Sequence, residues 1–309
     1  MTPQRRAALT SVVIPFIIFT GIWGSTWIVI RDQLGLVPPQ WSVAYRFFIA
    51  AGAMAIAARI KGHSLWLGRE AIVPILAIGV TQFCINFNMV YLAERHITSG
   101  IVATVFALLL IPNSLLAWAF LGQKPTIRFV WSSAVAIAGI GLLFWHELEE
   151  NPGETSAITV GIGLTLVGMM AASSANIMQA RERVRSHPLS PLLAWSMLFG
   201  ALLDTTIAFS LTGPPVIEYR LGYWLGLLYL GLFASALAFS LYFPVVRRIG
   251  PAKAAYSSAI VPIIAMGFST WLEGYQWTAL TVAGALLALG GMIGALSRSR
   301  TVVASPDAA

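Results

Sequence analysis

Charge is what this sequence has least of. Only 10% of its 309 residues are Asp, Glu, Lys or Arg, against about 25% in an ordinary soluble domain. Nineteen basic and 12 acidic side chains cannot supply the polar surface that a soluble chain of this length needs. That shortage excludes a soluble enzyme, a nucleic-acid-binding domain and a disordered chain. Cysteine is almost missing too, and the single Cys84 excludes a disulfide framework and a cysteine-based metal site. There is no HExxH, P-loop, aspartate pair within apolar runs or nucleophile elbow, so no enzyme signature is present. His63, His96, His146 and His187 fall in loops or at the edges of apolar runs, far apart in sequence. No metal and no cofactor are expected.

What is present is hydrophobic: 58% of residues, with a mean hydropathy of +0.79. A helix crossing a bilayer needs roughly 20 mostly apolar residues, because the hydrocarbon core is about 30 Å thick. Ten such stretches are predicted, near 9–31, 38–59, 70–92, 97–121, 127–146, 156–180, 189–211, 221–246, 250–272 and 277–297. The loops between them are too short for an extramembrane domain. The first stretch follows Arg5 and Arg6 but is too long for a signal peptide and lacks a small-residue cleavage pattern, so it is expected to stay in place.

The basic residues orient the bundle. With the N-terminus in the cytoplasm and sides alternating, 15 of the 19 basic residues lie inside, among them Arg59, Lys61, Arg69, Arg181, Arg183, Arg185, Arg247, Arg248, Arg298 and Arg300. Arg31, Arg95 and Arg220 lie outside, and Arg46 lies within a span. Glu147, Glu149, Glu150 and Glu154 crowd one outer loop. The net charge of +7 is therefore a topology signal, with both termini expected in the cytoplasm.

The chain also repeats itself. At a shift of 150 residues, Gly100 falls on Gly250, Phe106 on Tyr256, Pro112 on Pro262 and Gly141 on Gly291. Leu110-Ile111-Pro112 matches Ile260-Val261-Pro262, and each is followed eleven residues later by a polar residue, Gln123 or Glu273. Five spans per half is an odd number, so the halves enter the membrane in opposite senses. The predicted fold is an all-α integral membrane protein of ten transmembrane helices in two inverted five-helix repeats, residues 1–150 and 151–297, with a cytoplasmic tail at 298–309. Inverted repeats of this kind build secondary transporters with a site near the midplane.

Three motifs carry a family resemblance. Span one contains Trp23-Gly24-Ser25, span two has the lone arginine of Ala44-Tyr45-Arg46-Phe47, and spans four and nine each carry a proline. The sequence resembles the EamA-type drug/metabolite transporter superfamily, with a closer likeness to YddG-type bacterial amino-acid exporters. Gln123 departs from the family pattern, which often has glutamate there; Glu273 keeps it. The resemblance implies a bacterial inner-membrane protein that exports amino acids, aromatic and apolar ones included, by alternating access. Its expected partners are small-molecule substrates and membrane lipid, without nucleic acid, as a monomer or homodimer. An exporter of other amphiphilic metabolites or cationic drugs is the alternative. An intramembrane lipid-modifying enzyme or a non-transporting partner subunit is the remote one.

Polar residues inside spans are costly and face a cavity or another helix. Gln82 and Asn86 stand four apart and share a helical face. They either line a pore, where amides suit a zwitterion, or bond neighbouring helices. Trp23 is too deep for an interfacial belt, and either contacts substrate or fills the core. Phe106 and Tyr256, matched by the repeat, are candidate walls of a cavity, with Ser235, Phe239 and Tyr242 of span eight. Pro112 and Pro262 are expected to bend their helices. Gly139, Gly141, Gly284, Gly290, Gly291 and Gly294 read as close packing sites within the chain or at a dimer interface. Arg46 is expected in a structural or lipid-contacting role. Asp204, the carboxylate well inside a span, is the candidate proton carrier if transport is proton-coupled.

Overall fold

The computed structural model describes residues 9–150, 152–255 and 257–296. Every described element is helical. Eight segments are long and apolar enough to cross a membrane: α1 (Ser11–Asp32), α2 (Pro39–Ile60), α3 (Arg69–Ala93), α4 (Ser99–Leu121), α5 (Ile127–His146), α6 (Thr155–Ala180), α7 (Leu189–Thr212) and α8 (Leu221–Ile249). Each lies within a few residues of its predicted span. Two shorter apolar helices follow, α9 (Ser257–Leu272) and α10 (Ala279–Leu296). The 16 residues of α9 rise only about 24 Å. A separate helical turn, Pro251–Ala254, precedes it, and Tyr256 lies outside the described residues.

Local chemistry sets the breaks. Pro39 opens α2 behind an extended Pro38, a position where the missing N–H costs nothing. Gly122 closes α4 in the left-handed conformation, with φ of +69°, which glycine adopts without strain. Within α4 the α-helix is interrupted by a 3-10 turn over Ala107–Leu109. Pro112 explains it, because it cannot donate to the carbonyl of Leu108 four residues back. Around Pro262 the α-helix runs on without a comparable break, so the two prolines act differently on the regularity of their helices.

Two π-helical stretches stand out. One covers Gly79–Ile85 in α3 and the other Tyr229–Leu237 in α8. Their starting residues are related by the same 150-residue shift that aligns Pro112 with Pro262. π-turns turn the following side chains relative to a regular α-helix and concentrate at functional sites. Here they are followed by Asn86 in one helix and by Phe239 and Tyr242 in the other.

The helices associate in matched pairs. α5 packs on α10 and α2 on α7, the two most extensive contacts, while α1 packs on α8 and α9, and α6 on α3 and α4. Hydrocarbon gives no hydrophobic drive between helices, so small residues that let backbones approach are decisive. At Gly139 a Cβ would collide with the backbone of Ala288 and Gly284, and at Gly291 with Ala136 and Ser132. At Gly284 it would stand 2.9 Å from the Gly139 carbonyl, and at Gly294 2.7 Å from Ser132 Oγ. Gly141 and Gly290 meet open space instead, which corrects their assignment as packing sites inside the chain. The other four glycines seal α5 against α10. Gly139→Leu is therefore expected to destabilise by about 1–3 kcal/mol or more, since backbone rather than a movable side chain blocks it. Gly141→Leu is expected to be tolerated. Thermal melts of detergent-purified variants, followed by size-exclusion chromatography, check both.

Candidate functional site

A cavity lies where α1, α2, α3, α4, α6, α8 and α9 meet. Its space open to the centre of a water molecule is about 100 Å³, against roughly 10–15 Å³ needed for one water. That is room for several heavy atoms of a small solute. Trp23, Phe106, Phe239 and Tyr242 form aromatic walls, and Gln82 and Asn86 bring amides.

The walls are fixed by edge-to-face packing. Trp23 stands 4.8 Å from the Tyr242 ring and 5.3 Å from Phe239, centroid to centroid. Its indole Nε1 donates to the Ala234 carbonyl at 3.1 Å. That carbonyl belongs to the π-helical stretch of α8, where the helical bonding pattern is altered. Trp23 thus both faces the cavity and ties α1 to α8. Gln82 and Asn86 share the cavity face, as their spacing predicts. Asn86 Nδ2 donates to the Gln82 carbonyl at 3.4 Å, while its Oδ1 is buried without a hydrogen-bond partner.

Other predicted residues fall elsewhere. Ser235 is fully buried behind the cavity, where its Oγ accepts from Arg46 Nε at 2.9 Å. Arg46 itself is 1% exposed and lines the cavity, so its guanidinium does not face lipid. Asp204 is fully buried between α7 and α3, accepting from Asn88 Nδ2 at 2.7 Å, and is not a lining residue. The four polar residues of α3 thus divide three ways. Thr81 bonds back to the Ala77 carbonyl, Asn88 pairs with Asp204, and Gln82 and Asn86 reach the cavity. Pro112 is buried in α4, three residues beyond the lining Leu109, and Pro262 follows the lining Val261. Tyr256 is outside the described residues.

Among the lining residues that the sequence reading does not single out are Trp27, Asn176 and Thr26. Trp23, Thr26, Trp27 and Ile30 recur at helical spacing on α1, so the signal was there in the 3.6-residue period. Asn176 donates to Asn113 Oδ1 at 3.3 Å, and Asn113 Nδ2 reaches the Pro251 carbonyl at 3.5 Å. That chain links α6, α4 and the turn before α9.

Beyond the Ile30 end of the cavity a charged cluster closes the bundle. Arg31 at the end of α1 donates to the Glu94 carbonyl, and its Nε lies 3.5 Å from Glu273. Glu273, just past α9, accepts from the Ser99 backbone N–H at 3.2 Å and from its Oγ at 2.5 Å. A carboxylate at the start of α4 satisfies orphan donors and complements the helix dipole. At the repeat-related place, Gln123 Oε1 comes within 3.8 Å of where a Gly250 Cβ would sit. An amide therefore stands where the other end has a carboxylate.

The geometry defines a multi-pass membrane protein with a solute-sized cavity among its helices. The chain belongs to the EamA-like transporter family, whose model matches it twice, over residues 10–145 and 159–297. It is 25% identical to protein PagO of Salmonella typhimurium over 86% of each chain. It is 29% identical to the uncharacterized inner membrane transporter YedA of Escherichia coli over 84% of each. A probable amino-acid metabolite efflux pump of Salmonella typhimurium is 26% identical over 88% of this chain and 90% of its own. One solved crystal structure superposes with a TM-score of 0.69 over 91% of this chain and 95% of that one. At 17% identity that likeness concerns the fold alone.

Glu94 generates a prediction. It is fully buried, and neither carboxylate oxygen has a hydrogen-bond partner. Burial pushes its carboxyl well above the usual carboxylate range; Glu273 adds to the rise, while Arg31 and Arg46 oppose it. A carboxyl raised in the folded state costs nothing below its unfolded pKa, and its ionisation penalty grows as pH climbs above that value. Glu94→Gln is thus expected to melt higher than the parent at pH 8, with the gap closing towards pH 5. Parallel melts at the two pH values check the sign.

Proposed function

We propose that this chain is an exporter of amphiphilic small solutes, amino acids with aromatic or apolar side chains foremost. The observation that carries the reading is the cavity, aromatic on its walls and amide-bearing on α3 and α6. Such a lining suits a solute with one apolar end and one hydrogen-bonding end. The relative named as an amino-acid metabolite efflux pump and the resemblance to YddG-type exporters favour the same substrate class. Among the described lining residues there is no carboxylate, so cationic drugs would find only aromatic faces.

Alternating access follows from reading the chain as two inverted five-helix halves, 1–150 and 151–297, with α9 and α10 completing ten spans. The double match to the family model, the π-stretches at repeat-related positions and the matched helix pairs all support that reading. The distribution of basic residues supports a cytoplasmic location for both termini in a bacterial inner membrane. On that orientation the Arg31–Glu94–Glu273 cluster is the outer closure. Asp204, paired with Asn88 away from the cavity, is read as a structural partner, and transport as exchange or uniport.

Counterflow of labelled phenylalanine, leucine and tryptophan into proteoliposomes tests the function. Movement of a quaternary ammonium or a sugar with no movement of amino acids would refute it. Trp23→Ala and Asn86→Ala are expected to lower flux roughly two- to tenfold, the value of one lost hydrogen bond or less than one aromatic wall. Asp204→Asn is expected to leave the pH dependence of flux unchanged. A pH profile altered in that variant would return Asp204 to a coupling role.

A further inference from the structure

The charge of the cavity is unbalanced. Of its described lining residues one is charged, and it is a cation, Arg46. Its guanidinium is held from three sides. Nε donates to Ser235 Oγ at 2.9 Å, the Phe87 ring centre lies 4.3 Å from Cζ, and the Tyr91 hydroxyl stands beside it. No carboxylate of the described residues comes within 4 Å to form a salt bridge with it; Glu94 acts on it only at longer range. One terminal nitrogen, Nη1, is buried and has no hydrogen-bond partner. A buried cation without a counterion is costly, and an unspent guanidinium donor is matched best by a carboxylate.

Three more unspent groups belong to lining residues. Trp27 Nε1, a donor, Asn86 Oδ1, an acceptor, and the Tyr242 hydroxyl, which can do either, are buried without partners. We infer that Arg46 Nη1, with Trp27 Nε1, forms a carboxylate subsite, and that the transported solute must carry a carboxylate to fill it. This rests on the exporter reading and makes it specific. Asn86 Oδ1 is an unspent acceptor that cannot donate, and it takes the ammonium of an amino acid. The aromatic walls take the side chain. An amine without a carboxylate would bring a second positive charge beside Arg46 and leave Nη1 unmatched, so it is rejected. Because Arg46 belongs to α2 and Ser235 to α8, the bound carboxylate also sits at a junction between the two halves.

Three probes of one shape separate the possibilities: L-phenylalanine, L-phenylalaninamide and phenethylamine. Binding to the purified full-length protein is followed by tryptophan fluorescence, since Trp23 and Trp27 line the cavity, and transport by counterflow in proteoliposomes. Phenylalanine is expected to bind, with the isosteric amide and the amine about ten- to a hundredfold weaker, the range of one charge-assisted hydrogen bond. In Arg46→Gln, phenylalanine is expected to lose the same factor and the preference over the amide to vanish, with Arg46→Lys intermediate. Should Arg46→Gln fail to fold, the comparison in the parent protein still decides. Equal binding of phenylalanine and its amide by the parent, or full phenylalanine affinity in a folded Arg46→Gln, overturns the subsite and leaves the exporter intact. If none of the three binds or moves, both fall together.

Discussion

Hydrocarbon cannot solvate a polar group, and that single constraint organises this molecule. Every hydroxyl, amide or charge placed in a span has to find its partner inside the bundle. Thr81, Thr104 and Thr165 return their hydroxyls to the carbonyl four residues back, which costs the fold nothing between helices. Ser42 with Tyr223 and Asn88 with Asp204 spend their groups on each other, fastening α2 to α8 and α3 to α7. Some groups are left over after both kinds of bonding, at several places in the bundle. Four of them, Arg46 Nη1, Trp27 Nε1, Asn86 Oδ1 and the Tyr242 hydroxyl, belong to residues that line the one cavity.

The helices that frame this site are brought close by glycine and shaped by irregular turns. α5 and α10 seal against each other through Gly139, Gly284, Gly291 and Gly294. Gly24 on α1 admits Ile264 of α9, where a Cβ would stand 2.7 Å from the isoleucine. The π-stretches of α3 and α8 do a different task. One of them presents the Ala234 carbonyl that accepts from Trp23 Nε1. Close-packed pairs thus stand at the sides and irregular helices beside the cavity.

Much of this was legible in the residues. Span positions follow from the length and hydropathy of apolar runs, and eight of them were placed within a few residues. Gln82 and Asn86 were legible because helical spacing fixes a shared face whatever the neighbours are. The opposite fates of Arg46 and Ser235 were not. Which face of α2 looks inward is set by how α2 lies against α7 and α8, and no local period encodes that. Ser235 lies inside a π-stretch, so its direction departs from the 3.6-residue register that would have aimed it at the cavity with Phe239. Gly141 and Gly290 failed for a related reason, since composition marks a small residue but not whether another backbone faces it.

The two ends of the bundle carry the last step. On the reading of the chain as two repeated halves, the start of α4 is closed by the Glu273 carboxylate, with Arg31 at 3.5 Å, while Gln123 stands at the corresponding start before Pro251. A carboxylate at a helix N-terminus with a cation beside it holds more strongly than a neutral amide. On the exporter reading, the closure at the Glu273 end is therefore the firmer of the two, and the loaded cavity opens more readily at the Gln123 end.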